Sequence, residues 1–178
     1  MIYHFGSTNK VTFPGSGVAF LAASKENIAF TTKQLSMQAI GWDKLNMLRH
    51  VRFFKDMNGI RAIMQKHAAI LRPKFDAVLK RLESDLGNLG AGEWVKPDGG
   101  YFITFFSQTG CAKRIIGLCK EAGVVMTDAG APYPYGKDPD DNCIRIAPTF
   151  PSLAELQSAM EVFCTAVKLA TVERALEG

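Results

Sequence analysis

The stretch GSTNKVTFPGSGVAF, residues 6–20, places one lysine, Lys10, among small polar side chains and glycines. The three residues before this lysine carry hydroxyl or amide groups: Ser7, Thr8 and Asn9. Donors of this kind that follow a strand can converge on an anion such as a phosphate. A lysine beside them can attack a phosphorylated carbonyl compound and form a Schiff base. On spacing alone, the alternative is a solvated lysine that closes a surface turn.

A second candidate is Arg145, which stands between two isoleucines in the predicted strand CIRIAP. On the residues alone, it could form an ion pair with an aspartate of the preceding loop, Asp140 or Asp141. Arg49 and His50 could reach an active site, either as ligands of a distal carboxylate or as supports behind the site residues, but a capped or solvated helix face is favoured. His67, on an apolar stripe, is expected to be packed in the interior.

The composition excludes several classes of protein. The net charge of +4 comes from 21 Lys and Arg residues spread along the chain, so nucleic-acid binding is not favoured. The four cysteines form no C-x-x-C pair, which predicts reduced thiols in a cytoplasmic protein and no metal site. No apolar run approaches the ~20 residues that a membrane span needs, and we expect no membrane partner.

The first third of the chain predicts strands and helices around the lysine stretch. IYHFG and GVAFLAAS are predicted to be buried strands. Ser24 is placed to cap a helix that stops at Gly41, and Asp43 to cap the next one. The longest apolar stripe predicts a helix over residues 58–86, with a kink at the internal proline, Pro73.

The pattern then changes to that of a small α+β domain. EWVKPDGGYFITFFS predicts two strands joined by a glycine turn, and CAKRIIGLCKEAG predicts a short helix. VVMTDAG and CIRIAP are predicted to be strands on either side of a proline- and aspartate-rich loop. Ser152 and Glu155 form a capping box at the start of the last helix.

Four motifs in order resemble those of one enzyme family over nearly the whole chain. STNKVTFPG resembles the lysine signature of fold-type I PLP-dependent aminotransferases, and PDGGYF resembles the entry to a strand of their small domain. GVVMTDAG resembles the following strand and turn, and CIRIAPTFPSLAELQSAMEVF the arginine strand and last helix. The sequence of these motifs is most similar to that of a divergent, aspartate aminotransferase-like branch of the class I/II family.

The resemblance implies a role for individual residues. Lys10 would hold pyridoxal 5′-phosphate as a Schiff base and then move a proton between the substrate and the cofactor. Ser7 and Asn9 would donate hydrogen bonds to the phosphate of the cofactor. Arg145 would bind the α-carboxylate of the substrate, and Gly100 would let the backbone approach the substrate, unless the glycine pair that includes Gly100 only forms a hairpin.

The sequence departs from the family in one place and lacks part of the site. Most relatives carry a phosphate-binding arginine seven or eight residues after the lysine, where this chain has Gly17 and Val18. In the family, a carboxylate for the pyridine nitrogen, a stacking aromatic residue and a phosphate-binding helix start lie upstream of the lysine. Since nine residues precede Lys10, the chain is expected to be a C-terminal portion that is inactive alone.

The implied fold combines α/β and α+β parts: the end of the large domain (residues 1–57), then a bridging helix and the small domain (residues 58–178). The implied activity transfers an amino group from an acidic amino acid, L-aspartate, to a 2-oxo acid, 2-oxoglutarate. The partners would be the missing N-terminal part and, at full length, a second copy in a homodimer. Two alternatives stay open, namely a non-enzymatic effector-sensing or interaction module and a PLP-dependent C–S lyase.

Overall fold

The computed structural model describes residues 2–177, which form two compact units. Residues up to Ala69 make up the N-terminal unit, and residues from Ile70 onward make up the C-terminal unit. The division falls inside the longest helix, α3, which spans Met57–Leu86. The mixture of helices and small antiparallel sheets confirms the expected combination of α and β structure.

The N-terminal unit begins with a two-stranded antiparallel ribbon. Strands β1 (His4–Ser7) and β2 (Ala19–Ala22) pair so that the last residue of the first strand faces the first residue of the second. Helices α1 (Lys25–Ser36) and α2 (Lys44–Phe54) follow. The helix caps were predicted correctly, but α1 ends at Ser36 rather than at Gly41.

Two local hydrogen bonds explain why the helices of this unit begin where they do. Ser24 Oγ accepts the backbone N–H of Asn27 at 3.3 Å, and Asp43 Oδ1 accepts that of Asn46 at 2.9 Å. Each bond satisfies one of the four backbone donors that the first turn of a helix leaves unpaired.

The ribbon of the N-terminal unit is exposed, which corrects the expectation of buried strands. The Phe5 side chain is 74% exposed and that of Phe20 is 56% exposed. Among the described residues of this unit, only Thr12 and Phe54 are buried. The apolar pattern predicted the strands correctly, but it did not predict the exposure of their side chains.

The C-terminal unit is built on a three-stranded antiparallel sheet in the order β3-β4-β5. The strands span Gly92–Trp94, Ile103–Ser107 and Cys143–Ile146. Helix α4 (Ala112–Glu121) follows β4, and the chain ends in helix α5 (Leu153–Glu177). The hairpin, the helix after it, the arginine strand and the last helix were all predicted.

The core of the molecule lies in the C-terminal unit. Phe105 on β4 is fully buried, with its ring centroid 5.2 Å from that of Phe163 on α5 and 6.3 Å from that of Trp94 on β3. Helices α3, α4 and α5 contribute further buried side chains: Val78, Leu82, Leu86, Ile115, Cys119, Leu156, Met160, Cys164 and Val167. Three helices therefore pack against this sheet around one core.

The predictions for the start of α5, for the segment VVMTDAG and for Pro73 are compared with the structure in turn. The capping box is confirmed, since Ser152 Oγ accepts the Glu155 N–H at 3.3 Å and Glu155 Oε2 accepts the Ser152 N–H at 2.8 Å. VVMTDAG was predicted as a short strand and turn; the strand is wrong, because residues 124–128 form none, and the turn is present at residues 129–130, where the Gly130 N–H donates to the carbonyl of Cys143 on β5 at 3.3 Å. Pro73 lies inside α3, as expected. No helix described here is long and apolar enough to span a membrane.

Candidate active site

The lysine signature forms the loop that joins β1 to β2, residues 8–18, which we call the lysine loop. Its two ends are tied together, because the N–H of Thr8 donates to the carbonyl of Val18 at 2.8 Å and the N–H of Val18 donates to Thr8 Oγ1 at 2.9 Å. These bonds continue the pairing of the ribbon one step beyond the strands. Lys10 is exposed on this loop, where a small molecule could reach its amine.

Ser7 and Asn9, two of the three polar residues before the lysine, stabilise the loop through their side-chain oxygens. Their hydrogen-bond donors stay available for a ligand. Ser7 Oγ accepts the N–H of Asn9 at 3.1 Å, and Asn9 Oδ1 accepts the N–H of Gly17 at 3.1 Å. Because both side-chain oxygens act as acceptors, the Ser7 hydroxyl proton and the Asn9 amide N–H groups remain available for donation. Both side chains are exposed, so these donors can face an anion.

Gly17 shows why no arginine occupies that position. A Cβ built on Gly17 would lie 2.5 Å from both the Cα and the N atom of Asn9. Such contacts are far shorter than van der Waals distance, and the obstacle is backbone rather than a movable side-chain tip. The two sides of the lysine loop therefore approach each other at a point that excludes any side chain at position 17.

Arg145 lies on β5, opposite Thr104 of β4, in the C-terminal unit. Its guanidinium carbon lies 4.5 Å from the centroid of the Phe102 ring, a cation–π contact. Arg145 Nε is buried and has no hydrogen-bond partner among residues 2–177. A buried donor without an acceptor is costly, and a carboxylate ligand would satisfy it.

The alternative for Arg145, an ion pair with the preceding loop, is not what the structure shows. Within the described part of the chain Arg145 forms no ion pair, and Asp141 Oδ1 lies 3.7 Å from Lys113 Nζ instead. Asp138 organises this loop by accepting the N–H groups of Asn142 and Cys143 at 2.9 Å and 2.8 Å. Burial raises the pKa of Asp138, but these backbone hydrogen bonds outweigh it and leave the pKa below its usual value.

Gly100 occupies the turn between β3 and β4 with a backbone φ of +95°, which favours glycine over any other residue. A Cβ at this position would meet no atom within 4 Å. The turn therefore requires Gly100 for its conformation, and the space beside its backbone is open. This geometry is compatible both with a hairpin glycine and with a glycine that a ligand approaches.

The sequence reasoning named His50 but favoured a capped or solvated helix face for it, whereas the structure places it in contact with the lysine loop. His50 is half-buried, and its Nε2 atom lies 2.9 Å from Thr12 Oγ1. This corrects the expectation of a solvated helix face for His50. Arg49, its neighbour, is exposed as expected, and its guanidinium carbon lies 5.3 Å from the centroid of the Phe13 ring. No sequence signal joins His50 to Thr12, because 38 positions separate them.

The predicted site residues thus fall into two groups, each within one unit. Lys10, Ser7 and Asn9 lie together on or beside the lysine loop of the N-terminal unit, while Arg145 and Gly100 belong to the sheet of the C-terminal unit. Across residues 2–177, no cluster of three or more His, Cys, Asp or Glu side chains could hold a metal ion.

Comparison with known proteins assigns the whole chain to one family. The model of the family described as aspartate amino-transferase matches residues 1–178. A Mycolicibacterium smegmatis protein whose name describes an aminotransferase is 47% identical over 172 residues, which are 97% of this chain and 40% of that protein. The chain therefore spans about two fifths of the length of the curated relatives that it matches.

Solved structures agree with this assignment. The crystal structure of an aspartate transaminase from Corynebacterium glutamicum has a TM-score of 0.93 and 44% identity, over 97% of this chain and 41% of that one. The structure of an α-aminoadipate aminotransferase from Thermus thermophilus, complexed with N-(5′-phosphopyridoxyl)-L-leucine, has a TM-score of 0.75 at 19% identity over 94% of this chain and 42% of that one. The second likeness shows a shared fold.

Proposed function

The chain belongs to the aspartate amino-transferase family, and we propose that it is the C-terminal part of a pyridoxal 5′-phosphate-dependent aminotransferase. The donor would be an acidic amino acid, L-aspartate, and the acceptor a 2-oxo acid, 2-oxoglutarate. Support for the donor comes from the Corynebacterium glutamicum structure, which is named an aspartate transaminase and is 44% identical. The complete protein would act in the cytoplasm.

The state of Arg145 is the observation that carries this proposal. Its Nε is buried and lacks a hydrogen-bond partner within the described residues, and its guanidinium carbon lies 4.5 Å from the centroid of the Phe102 ring. A guanidinium with an unused buried donor suits a planar, bidentate anion, and a carboxylate has that shape. Both substrates of the proposed reaction carry an α-carboxylate, which Arg145 would bind.

The residues of the lysine loop fit a phosphorylated pyridoxal. Lys10 supplies an exposed primary amine, and Ser7 and Asn9 keep hydrogen-bond donors that their contacts within the loop do not use. A phosphate is an acceptor with several oxygens, so it matches two neighbouring donors. Since a Cβ at Gly17 would collide with the backbone of Asn9, the phosphate charge would be met by groups other than an arginine at that position.

The chain's own residues would perform three tasks. Lys10 Nζ would bind the cofactor covalently and, once the substrate has taken its place, would accept the proton from the substrate Cα. Ser7 and Asn9 would hold the phosphate, and Arg145 would orient the α-carboxylate. When bound, pyridoxal phosphate supplies an electron sink for the negative charge that develops at Cα.

The rest of the machinery would come from the part of the protein that this chain does not cover. The curated relatives are about two and a half times as long, since the chain covers 40% of one and 39% of another. That part would supply a carboxylate for the pyridine nitrogen, a stacking aromatic ring and a cover for the exposed ribbon β1–β2. The full-length protein would be a homodimer, and the 178-residue chain alone would be inactive.

Substitution of the lysine tests the proposal directly. In the full-length protein with added cofactor, Lys10→Ala should abolish the pyridoxyl group that borohydride fixes to this residue, as read by peptide mass spectrometry. It should also lower turnover of L-aspartate with 2-oxoglutarate by about 10²–10⁴-fold, the usual contribution of a proton-transferring residue. Lys25→Ala, which changes an exposed lysine at the start of α1, is the matched control and should leave both measurements unchanged.

Other outcomes would replace the proposal. A protein in which Lys10→Ala leaves cofactor attachment and turnover intact is not the enzyme described here. Binding of amino acids by both the native protein and the variant, with no turnover in either, would indicate an effector-sensing module. Release of a thiol from a β-substituted cysteine derivative, in place of transamination, would indicate a C–S lyase.

A further inference from the structure

The largest polar network in the N-terminal unit centres on Thr12, a buried threonine two residues after the lysine. Thr12 is 3% exposed, and its Oγ1 atom lies 2.9 Å from His50 Nε2 and 3.0 Å from Thr8 Oγ1. The other ring nitrogen of His50, Nδ1, lies 2.9 Å from the carbonyl oxygen of Asn46. Thr8 Oγ1 also accepts the N–H of Val18 at 2.9 Å.

Counting protons fixes the direction of these hydrogen bonds in neutral His50. A carbonyl oxygen can only accept, so the proton of the ring must be on Nδ1, and Nε2 is then an acceptor. The hydroxyl of Thr12 is then placed to donate to His50 Nε2. The same hydroxyl also lies 3.1 Å from the carbonyl oxygen of Thr8 and 3.0 Å from Thr8 Oγ1, so Thr12 links His50 on α2 to the start of the lysine loop.

Helix α2 also holds the far side of the lysine loop. Asn46 Nδ2 donates to the carbonyl of Gly17 at 3.2 Å, one turn of the helix before His50. The Phe13 ring packs edge-on against the imidazole, with centroids 5.1 Å apart, and lies 5.3 Å from the ring of Phe54. Two polar contacts and one aromatic cluster thus tie a single helix to both sides of the loop that carries Lys10.

We propose that His50 is a positioning residue that fixes the backbone on either side of Lys10 through the 2.9 Å contact of its Nε2 atom with Thr12 Oγ1. The inference rests on the proposed function, because it assumes that Lys10 is the reacting amine. Thr8 and Thr12 stand two residues before and after Lys10, and the N–H groups of Val11 and Thr12 both donate to the Thr8 carbonyl at 2.8 Å. His50 therefore supports a turn that has Lys10 at its centre.

Positioning of this kind affects the reaction more than the fold. The amine of a lysine lies at the end of a flexible side chain. The direction in which this side chain leaves the backbone is set by the backbone conformation at the lysine. A displacement of about 1 Å in a reacting group can cost 10²-fold in rate. Loss of the His50 contact should therefore lower kcat. KM should stay nearly unchanged, because the substrate carboxylate would be bound by Arg145 and not by the lysine loop.

The test uses matched variants of the full-length protein with pyridoxal phosphate. His50→Leu removes both ring nitrogens, and Thr12→Val removes the hydroxyl while keeping the shape of the side chain. Each should lower kcat by about 10–100-fold and change KM for L-aspartate less than about twofold. His50→Gln places an amide near the position of Nε2 and should recover most of kcat. His67→Leu, a substitution of the half-buried histidine on α3, is the control and should change kcat less than about twofold.

A second measurement does not depend on the reaction. Hydrogen exchange of the Val11, Thr12 and Val18 amides, measured without cofactor, should become at least about tenfold faster in His50→Leu and Thr12→Val. Amides of the ribbon β1–β2 should change less. Thr12→Val also removes the contacts of the hydroxyl with Thr8, so faster exchange must appear in a His50 variant as well. If His50→Leu does not fold, His50→Ala takes its place.

The possible results separate this inference from the proposed function. Unchanged kcat and unchanged exchange in Thr12→Val would overturn the role of His50, even with a pyridoxyl group still found on Lys10. Failure to find that group on Lys10 in the native protein would overturn the proposed function, whatever the loop amides do. A loss of kcat in His50→Leu that His50→Gln does not recover would show that His50 acts through packing alone.

Discussion

The two units of this chain bury their side chains to very different extents. In the C-terminal unit, a three-stranded sheet and helices α3, α4 and α5 surround one core, in which Phe105, Ile103 and Ile144 are fully buried. In the N-terminal unit, the structure describes only Thr12 and Phe54 as buried, while Phe5, Phe20 and many other large apolar side chains are exposed.

The difference shows how stability and chemistry are divided along the chain. Burial of apolar surface must offset a conformational entropy cost of about 1–2 kcal/mol for each ordered residue. The C-terminal unit has the core to do this, and the N-terminal unit, with the proposed reacting lysine, has little. We therefore expect the C-terminal unit to fold by its own core and the lysine loop to depend on other parts of the complete protein.

Hydrogen exchange of the 178-residue chain should show the largest contrast between the units. The amides of Phe105 and Ile144, on core strands, should exchange on the order of 10³-fold or more slowly than those of Phe5 and Leu21 in the ribbon β1–β2, because local opening of a poorly covered ribbon costs little. If the amides of the core strands and those of the ribbon β1–β2 exchange at equal rates, the N-terminal unit is as stable as the C-terminal core. The proposed difference in stability between the units would then be wrong.

Single substitutions should show the same contrast in free energy. Phe105→Ala should lower the free energy of unfolding by about 3–5 kcal/mol, because it leaves a cavity in a packed core. Phe106→Ala, one residue further on the exposed face of the same strand, should cost less than about 1 kcal/mol, and Phe5→Ala in the ribbon less than about 0.5 kcal/mol. Denaturant unfolding measures all three, and a cost for Phe5→Ala similar to that of Phe105→Ala would refute the comparison.

Alkaline pH should affect the C-terminal unit specifically, because all four cysteines lie there. Burial raises the pKa of Cys119 to about 11 and that of Cys164 to about 12, above the ordinary value of 9.0. The neutral thiols therefore stabilise the fold fully below pH 9, and this contribution is lost between pH 9 and pH 12 as the unfolded chain ionises first.

The size of the effect follows from the same numbers. At pH 10, ionisation of each thiol in the unfolded chain should lower the free energy of unfolding by roughly 1 kcal/mol, so the two together should lower it by roughly 2–3 kcal/mol. Denaturant unfolding between pH 7 and pH 10.5 measures this loss. The double variant Cys119→Ala/Cys164→Ala is the control, because it should lack this part of the pH dependence; an unchanged slope would contradict the assignment.

Substitutions of helix caps should change the free energy of unfolding least of the changes proposed here. They also test whether the two units unfold independently. Ser152→Ala removes the cap of α5 and should lower the free energy of unfolding of the C-terminal unit by about 1 kcal/mol. Asp43→Ala removes the equivalent bond at α2 and should speed amide exchange within α2 without changing the global unfolding of the C-terminal unit. Ser158→Ala, at an exposed position inside α5, is the control; a global effect of Asp43→Ala would show that the units unfold together.

Local signals in the sequence were enough for most of the elements. Ser24, Asp43 and the pair of Ser152 and Glu155 marked helix starts correctly, because a cap depends on residues within one turn of itself. The strand expected within VVMTDAG did not form, because a strand needs a ladder of hydrogen bonds along a partner, and here the Gly130 N–H donates to the Cys143 carbonyl without a ladder along residues 124–128. The burial expected for Phe5 was also wrong, because the local apolar pattern does not record which side chains pack over a strand.

The candidate site was predictable only where one motif contained it. Lys10, Ser7 and Asn9 stand in one short stretch, so their grouping on the lysine loop could be read directly. The contact of His50 with Thr12 depends on how α2 packs against that loop, which no spacing records. The unpaired Nε of Arg145 was likewise invisible, because the sequence offered Asp140 and Asp141 as partners and only the fold shows that they are not used.

The close approach of Gly17 to Asn9 also limits which sequences this loop can reach by small steps. A library that randomises position 17 alone should return glycine almost exclusively, because every other residue collides with the Asn9 backbone. To place an arginine at position 17, the loop would first have to lengthen or Asn9 would have to move. A change at position 17 therefore needs a second change elsewhere in the loop before it can be tolerated.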